Sequence, residues 1–234
     1  MSLAIETSQR RGGVAVCDRS GRIDEANLAS GRGHDDQLLP TIDQLLRKAS
    51  MRPHELERIA VSIGPGGLTG LRIALATAQV MAEVTGAVVI GVPSALSAAY
   101  GTDRTGRMLV ALAARGESFW ATALERDEPD GEWRLAEAHA AGLPENPMLL
   151  DASALNVNAY NLVLADEFLP AEARARCEVG SCPIIAPRFT AGQCLRAIES
   201  SLVHPEDSPL NLLPIYPRPP EAVSLWEQRN RHRS

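Results

Sequence analysis

Two short stretches hold residues that could do chemistry. The first runs Ser62-Ile63-Gly64-Pro65-Gly66-Gly67-Leu68-Thr69-Gly70-Leu71-Arg72. Glycines let backbone N–H groups crowd an anion, and a following helix adds its positive dipole end. Gly64, Gly66, Gly67, Thr69 and Gly70 are the contacts such an anion would use. The second stretch is Glu6-Thr7-Ser8, closed by Gly12-Gly13. A carboxylate and two hydroxyls at a turn tip suit a metal–phosphate, and equally suit an ordinary polar hairpin.

The glycine spacing departs from both standard nucleotide templates. A P-loop needs Lys and Ser/Thr after its last glycine. Here Gly70 is followed by Leu71-Arg72. A dinucleotide loop needs a third glycine where Thr69 stands. Three readings stand: a tight strand-to-helix turn with Thr69 near the N-cap, an anion site, and a nucleotide site. His34 lies beside Asp35 and Asp36, but a zinc or iron site needs more ligands than one histidine brings. His54, His139, His204 and His232 form no close pair in sequence, and no Gly-x-Ser-x-Gly elbow is present. Cys17, Cys177, Cys182 and Cys194 form no Cys-x-x-Cys, and they read as buried, inert thiols.

The elements that must position these residues follow from periodicity. Leu3 to Thr7, Gly13 to Cys17 and Ile23 to Ala29 are short extended runs split by tight turns, which predicts an antiparallel meander. From Asp35, Leu38, Ile42, Leu45 and Ala49 recur at three or four residues, which predicts an amphipathic helix with Pro40 in its first turn or else at a kink. Arg58 to Ile63 reads as a strand, 71–85 as a helix capped by Gly86, and Ala87 to Val92 as a strand. The order is β-β-β-α-β-α-β. Beyond it, residues 107–125 read as a hairpin turning at Gly116. Trp133 to Ala138 adds a strand. Further α/β segments lie around Asn161–Asp166 and Pro183–Pro187, and a helix over 191–202. The tail starts extended and enters a short helix at Glu221. Its last residues, Arg229-Asn230-Arg231-His232-Arg233-Ser234, read as a solvated arginine-rich end, with direct contact to tRNA as the other reading.

The 71–85 helix is apolar around most of its circumference, which calls for burial on more than one side. Ala74, Ala78 and Ala82 form a small-residue stripe. With Leu71 and Leu75, and with Leu38, Leu39, Ile42 and Leu45 of the preceding helix, they make a two-helix apolar surface. Either a partner or the rest of the chain covers it.

Composition bounds the rest. The 234 residues are 45% apolar, enough for one large or two small domains. A formal charge of −6 argues against broad nucleic-acid binding. No run approaches the ~18 apolar residues of a membrane span. The start lacks the basic leader and long apolar core of a signal peptide. A cytoplasmic protein is expected.

In order and spacing, Leu3–Val16, Gly31–Leu46, Ile59–Ala82 and Gly91–Ala98 resemble the TsaB (YeaZ) family, and the tail over 212–229 resembles that family's C-terminal ending. The resemblance is thin between 103 and 205. It implies an actin-like (ASKHA) α/β fold of two ribonuclease-H-like domains with mixed sheets flanked by helices. The expected division is 1–102, 103–213, and a tail 214–234 returning toward the first domain. It further implies a non-catalytic subunit in the making of N6-threonylcarbamoyladenosine in tRNA. Such a subunit pairs through its N-domain helices with a TsaD-like transferase, alongside a TsaE-like ATPase. It meets tRNA indirectly and self-associates when isolated. TsaD-like enzymes carry a His-x-x-x-His metal motif, and Ser94 and Ala98 stand at those two positions. Neither replaces an imidazole, so no metal and no catalytic residue are expected. No cofactor is expected either, with weak adenine-nucleotide binding left open. The alternative is an enzyme in its own right, a nucleotide-dependent transferase or an M22-type metallopeptidase.

Overall fold

The computed structural model describes residues 1–28, 34–113, 116–136, 147–205 and 208–215. The helix expected from Glu221, the arginine-rich end and the side chain of His34 lie outside the described residues.

Two mixed sheets form the frame. In the first, β1 (Ser2–Glu6), β2 (Gly13–Cys17) and β3 (Ile23–Asn27) are an antiparallel meander. β4 (Arg58–Gly64) and β5 (Val88–Pro93) then add in parallel, giving the order β3-β2-β1-β4-β5. The connections are α1 (His34–Lys48) before β4 and α2 (Leu68–Thr85) before β5. This is the β-β-β-α-β-α-β order that the periodicity predicts.

The second sheet repeats the plan. β6 (Gly106–Ala113) and β7 (Ser118–Arg126) form the expected hairpin around Gly116, whose φ is +64°. β8 (Arg134–Leu135) and β9 (Met148–Asp151) both pair with β7, while β10 (Leu162–Ala165) and β11 (Ile184–Ile185) continue in parallel from β6. The described residues also form the α-helices α3 (Ser94–Ala99), α4 (Ala171–Val179) and α5 (Ala191–Ala197).

Alternation along the strands sets the layers. Leu3, Ile5, Val14, Val16, Ile59 and Val61 face α1 and α2. Ala4, Ala15 and Ala60 face the other way, toward α3, α5 and the second sheet, in one continuous core with Met108, Val110, Leu162 and Leu164. The small alanine side chains let α5 lie close on β1 and β2. The far face of the second sheet, with Leu109, Phe119 and Val163, packs against Ala173 and Cys177 of α4.

Several boundaries differ from expectation. β1 stops at Glu6, so Thr7 belongs to the turn. Pro40 sits in the second turn of α1, because the helix begins at His34. α2 begins at Leu68 with Gly67 as N-cap and no side-chain cap, so Thr69 lies inside the first turn and caps nothing. Gly86 ends α2 in the left-handed region at φ +77°, as expected. α3, α4 and β9 escape a periodicity reading because each is short and α4 is largely polar. α5 ends at Ala197, short of the expected 202. Cys177, Cys182 and Cys194 are buried free thiols and Cys17 is half-buried. No helix among the described residues is long and apolar enough to cross a membrane.

Candidate functional site: a cleft beside the glycine loop

The two stretches singled out in the sequence meet. The β1–β2 turn lies on the glycine loop, and Thr7, Ser8, Gly67, Thr69 and Gly70 line one surface cleft of about 330 Å³. Gln9, Arg10, Gly12, Leu68 and Ile73 line it too, with Leu38 from α1. Sequence reading missed Gln9, Arg10, Leu68 and Ile73 as site residues, because turn residues and helix flanks carry no periodic signal.

The glycines serve this meeting of two backbones. The Gly67 N–H donates to the Ser8 carbonyl at 2.7 Å. Thr7 Oγ1 donates to the Gly70 carbonyl at 2.8 Å. A β-carbon on Gly66 would collide with the Ser8 carbonyl oxygen, and one on Gly70 with that of Thr7. Gly64 needs its freedom for a different reason: its φ is +98°, and the Ile215 carbonyl lies over it. Beside it, the Ile215 N–H donates to the Ile63 carbonyl at 2.7 Å. Residues 208–215 therefore lie across the end of β4 and along α2. There the Gln79 amide donates to the carbonyls of Pro209 and Leu212.

Beneath the turn sits a buried polar cluster. Glu6 is fully buried. Its Oε1 accepts the Ser8 N–H at 2.7 Å, and Cys194 Sγ lies 3.8 Å from Oε2. Burial pushes the Glu6 carboxyl up, against the pull of hydrogen bonds from Ser8, Ser62 and Cys194. Burial also pushes the Cys194 thiol well up, with Glu6 and Glu25 adding to it. Ser62 Oγ and Ser94 Oγ are 3.1 Å apart. Ser94 and Ala98, at the two positions of the expected histidine motif, are both fully buried. Among the described residues, no three His, Cys, Asp or Glu side chains stand close enough to hold a metal.

The proposed two-helix interface needs correction. Leu38, Ile42 and Leu45 of α1 are buried in the chain's own core, as are Leu71, Ala74, Leu75, Ala78 and Ala82 of α2. The alanine stripe sets α2 close on the first sheet, and a partner cannot reach it. Of the expected interface residues only Leu39 is exposed, at 59%. The outward face of α2 carries Val80 at 64% and Val84 at 79% exposure, with Arg72, Ala76 and Glu83 beside them.

The family profile for TsaD, tRNA N6-adenosine threonylcarbamoyltransferase, matches residues 28–149, just over half of the chain. "tRNA threonylcarbamoyladenosine biosynthesis protein TsaB" of Escherichia coli is 32% identical over 61% of this chain and 62% of its own length. The Bacillus subtilis protein of the same name is 34% identical over 34% of this chain and 35% of its own. The chain thus spans less than two thirds of the length of these two curated relatives. Among solved structures, a Pseudomonas aeruginosa protein described as similar to peptidase YeaZ superposes with a TM-score of 0.71 at 21% identity, over 93% of this chain and 99% of that one. YeaZ from the same organism gives 0.68 over 92% and 98%. The fold is therefore the actin-like ASKHA fold. Within that class, the chain belongs to the TsaB (YeaZ) family.

Proposed function

We propose that this chain is a non-catalytic subunit of the machinery that makes N6-threonylcarbamoyladenosine in tRNA, and that it docks a TsaD-like transferase on the outward faces of α1 and α2. One observation carries the docking reading. Val80, Val84 and Leu39 hold large apolar side chains in solvent on the two helices that cover the first sheet. The transferase family profile runs through these same helices, so a transferase would present an equivalent pair. Such helices can meet about a two-fold axis. The exposed charges support self-pairing in isolation too. Two copies of α2 crossing antiparallel near residue 78 bring Arg72 of one toward Glu83 of the other. A TsaE-like ATPase joins the same assembly in the cytoplasm, and tRNA is met through the transferase. The glycine loop's use as a seat for the chain's own turn supports an architectural role, with no cofactor assigned.

The test is co-elution with the cognate transferase. Val80→Arg with Val84→Arg should keep the circular-dichroism spectrum and lose the complex and the stimulation of tRNA modification. A complex that forms unchanged would refute this surface. Tight ATP binding with hydrolysis by the isolated chain would favour the enzyme reading instead.

A further inference from the structure

Cys177 and Cys182 are held at a fixed spacing by the way α4 ends. The Gly180 N–H donates to the Arg176 carbonyl at 3.0 Å, the Ser181 N–H to that of Glu178 at 3.1 Å, and the Cys182 N–H to that of Cys177 at 2.9 Å. Ser181 stands in the left-handed region, with φ +52°. This is the Schellman arrangement, in which the two residues joined by the longest bond commonly pack their side chains together. Here both of those side chains are thiols.

The same bond limits how far apart the two residues can be. With 2.9 Å between the Cys182 nitrogen and the Cys177 oxygen, standard bond lengths put the α-carbons no more than ~6.8 Å apart. A disulfide spans α-carbons about 4.4–6.8 Å apart. Both residues belong to one buried apolar cluster, with Leu155, Tyr160 and Ala173. Cys177 is fully buried and Cys182 is 7% exposed. Burial pushes the Cys177 thiol up to about 11, and the neighbouring Cys182 adds to the rise. The Cys182 thiol reaches only a weak partner, the Tyr160 carbonyl at 3.7 Å. Yet Glu178, Val179, Gly180 and Ser181, the residues between them, are all exposed. The pair lies directly beneath a surface turn.

We propose that Cys177 and Cys182 are a reversible disulfide site, which a small-molecule disulfide closes and a small thiol reopens. Closed, it staples the end of α4 to the chain entering β11. That chain is already fixed to the sheet, because the Val163 N–H donates to the Pro183 carbonyl at 2.9 Å. β11 is an edge strand of the second sheet, so the staple joins a helix end to a sheet edge.

The exchange proceeds in two steps. Cys182, the less buried thiol, attacks one sulfur of the oxidant. The oxidant's S–S bond breaks, a mixed disulfide forms, and one small thiol leaves with the Cys182 proton. Cys177 then attacks the Cys182 sulfur, and the second small thiol leaves with the Cys177 proton. The two protein thiols lose two electrons, and the oxidant gains them as two thiols. Thiols raised by burial attack slowly near neutral pH. The pair therefore follows the ambient thiol–disulfide balance slowly and is no fast peroxide trap.

The test uses the intact chain and glutathione as the probe. The chain is equilibrated without air, at mildly alkaline pH, in mixtures of reduced and oxidised glutathione. It is then quenched in acid, alkylated and digested with trypsin. Arg176 and Arg188 bound one peptide, 177–188, that carries both thiols. Its closed form is lighter by two hydrogens and takes no alkyl group. Half closure should fall at a value of [GSH]²/[GSSG] at least about tenfold higher in the folded chain than in a synthetic 177–188 peptide, because the fold has already brought the ring's ends together. The amides of 180–182 should exchange at least about threefold more slowly in the closed chain, because the new bond spans the turn that they close. A folded chain that stays a dithiol in every mixture overturns the proposal. So does a mixed disulfide on Cys182 that never closes, and so does a midpoint at or below the peptide's. A closed chain whose 180–182 amides exchange no more slowly than in the dithiol overturns the staple.

Discussion

Gly70 lies directly against Thr7: the Thr7 hydroxyl donates to the Gly70 carbonyl at 2.8 Å, and the Thr7 carbonyl fills the space where a Gly70 side chain would begin. The first turn of α2 and the β1–β2 turn are thus packed backbone to backbone. Gly66 meets Ser8 in the same way, one turn earlier. The glycine loop is shaped around a piece of its own chain.

Gly70→Ala and Gly66→Ala should therefore each lower stability by about 1–3 kcal/mol, because the clash is with backbone and no side chain can swing away. Gly86→Ala offers the contrast. Its φ is +77° with nothing within 4 Å, so the cost is the left-handed conformation alone, about 1 kcal/mol. Urea midpoints for the three variants should rank accordingly. Equal midpoints would mean that the turn moves freely off the loop.

Ala78 and Val80 lie two positions apart on α2 and should respond in opposite ways to arginine. Ala78 is fully buried against the sheet, so Ala78→Arg forces an unpaired charge into the core and should abolish cooperative unfolding near neutral pH. Val80→Arg adds a charge in solvent and should leave the melting temperature within a few degrees. Thermal scans of the two variants check this directly.

How much of this was legible in the sequence depends on which signal each part leaves. The meander and both long helices show in alternation and in three-to-four spacing, and Gly86 and Gly116 mark their ends. The cleft was half visible: Thr7, Ser8 and the glycines announce themselves by type, while Gln9, Arg10 and Ile73 join only once the turn folds onto the loop. The interface reading failed for a physical reason. A stripe of small residues permits close approach, and it does not say whether a sheet or a partner makes it. Here the sheet does, and the faces left over are Val80 and Val84. Glu6 reads in sequence as a turn-tip carboxylate. The fold buries it, with Cys194 of α5, 188 residues further on, against its carboxyl.

Gln79 offers a test of the 208–215 segment. Its amide donates to Pro209 at 3.0 Å and to Leu212 at 3.2 Å. Gln79→Leu should remove both bonds and leave two carbonyls to water at modest cost, roughly 1–2 kcal/mol. Leu212 and the Ile215–Ile63 pairing still hold the far end. Cleavage between 208 and 213 by a broad-specificity protease should therefore speed up several-fold, while the global melting temperature changes little. Unchanged cleavage would show that Gln79 is not what fixes the segment.

Arg126 provides the last. Only 4% of it is exposed. Its guanidinium donates to the carbonyls of Arg104 and Thr102 and lies 4.4 Å from the ring of the fully buried Trp133. The two carbonyls belong to the connection between the sheets, so one side chain ties that connection to β7. Lysine cannot span both carbonyls and stack as well, because its ammonium is a point donor where the guanidinium is a planar fork. Arg126→Ala leaves the carbonyls without donors and opens a cavity over Trp133, a loss of about 2–4 kcal/mol. Arg126→Lys should recover part of that. The indole sits against the guanidinium, so the tryptophan emission should shift to longer wavelength in Arg126→Ala under conditions where the chain stays folded. An unshifted spectrum with an unchanged urea midpoint would remove Arg126 from this role.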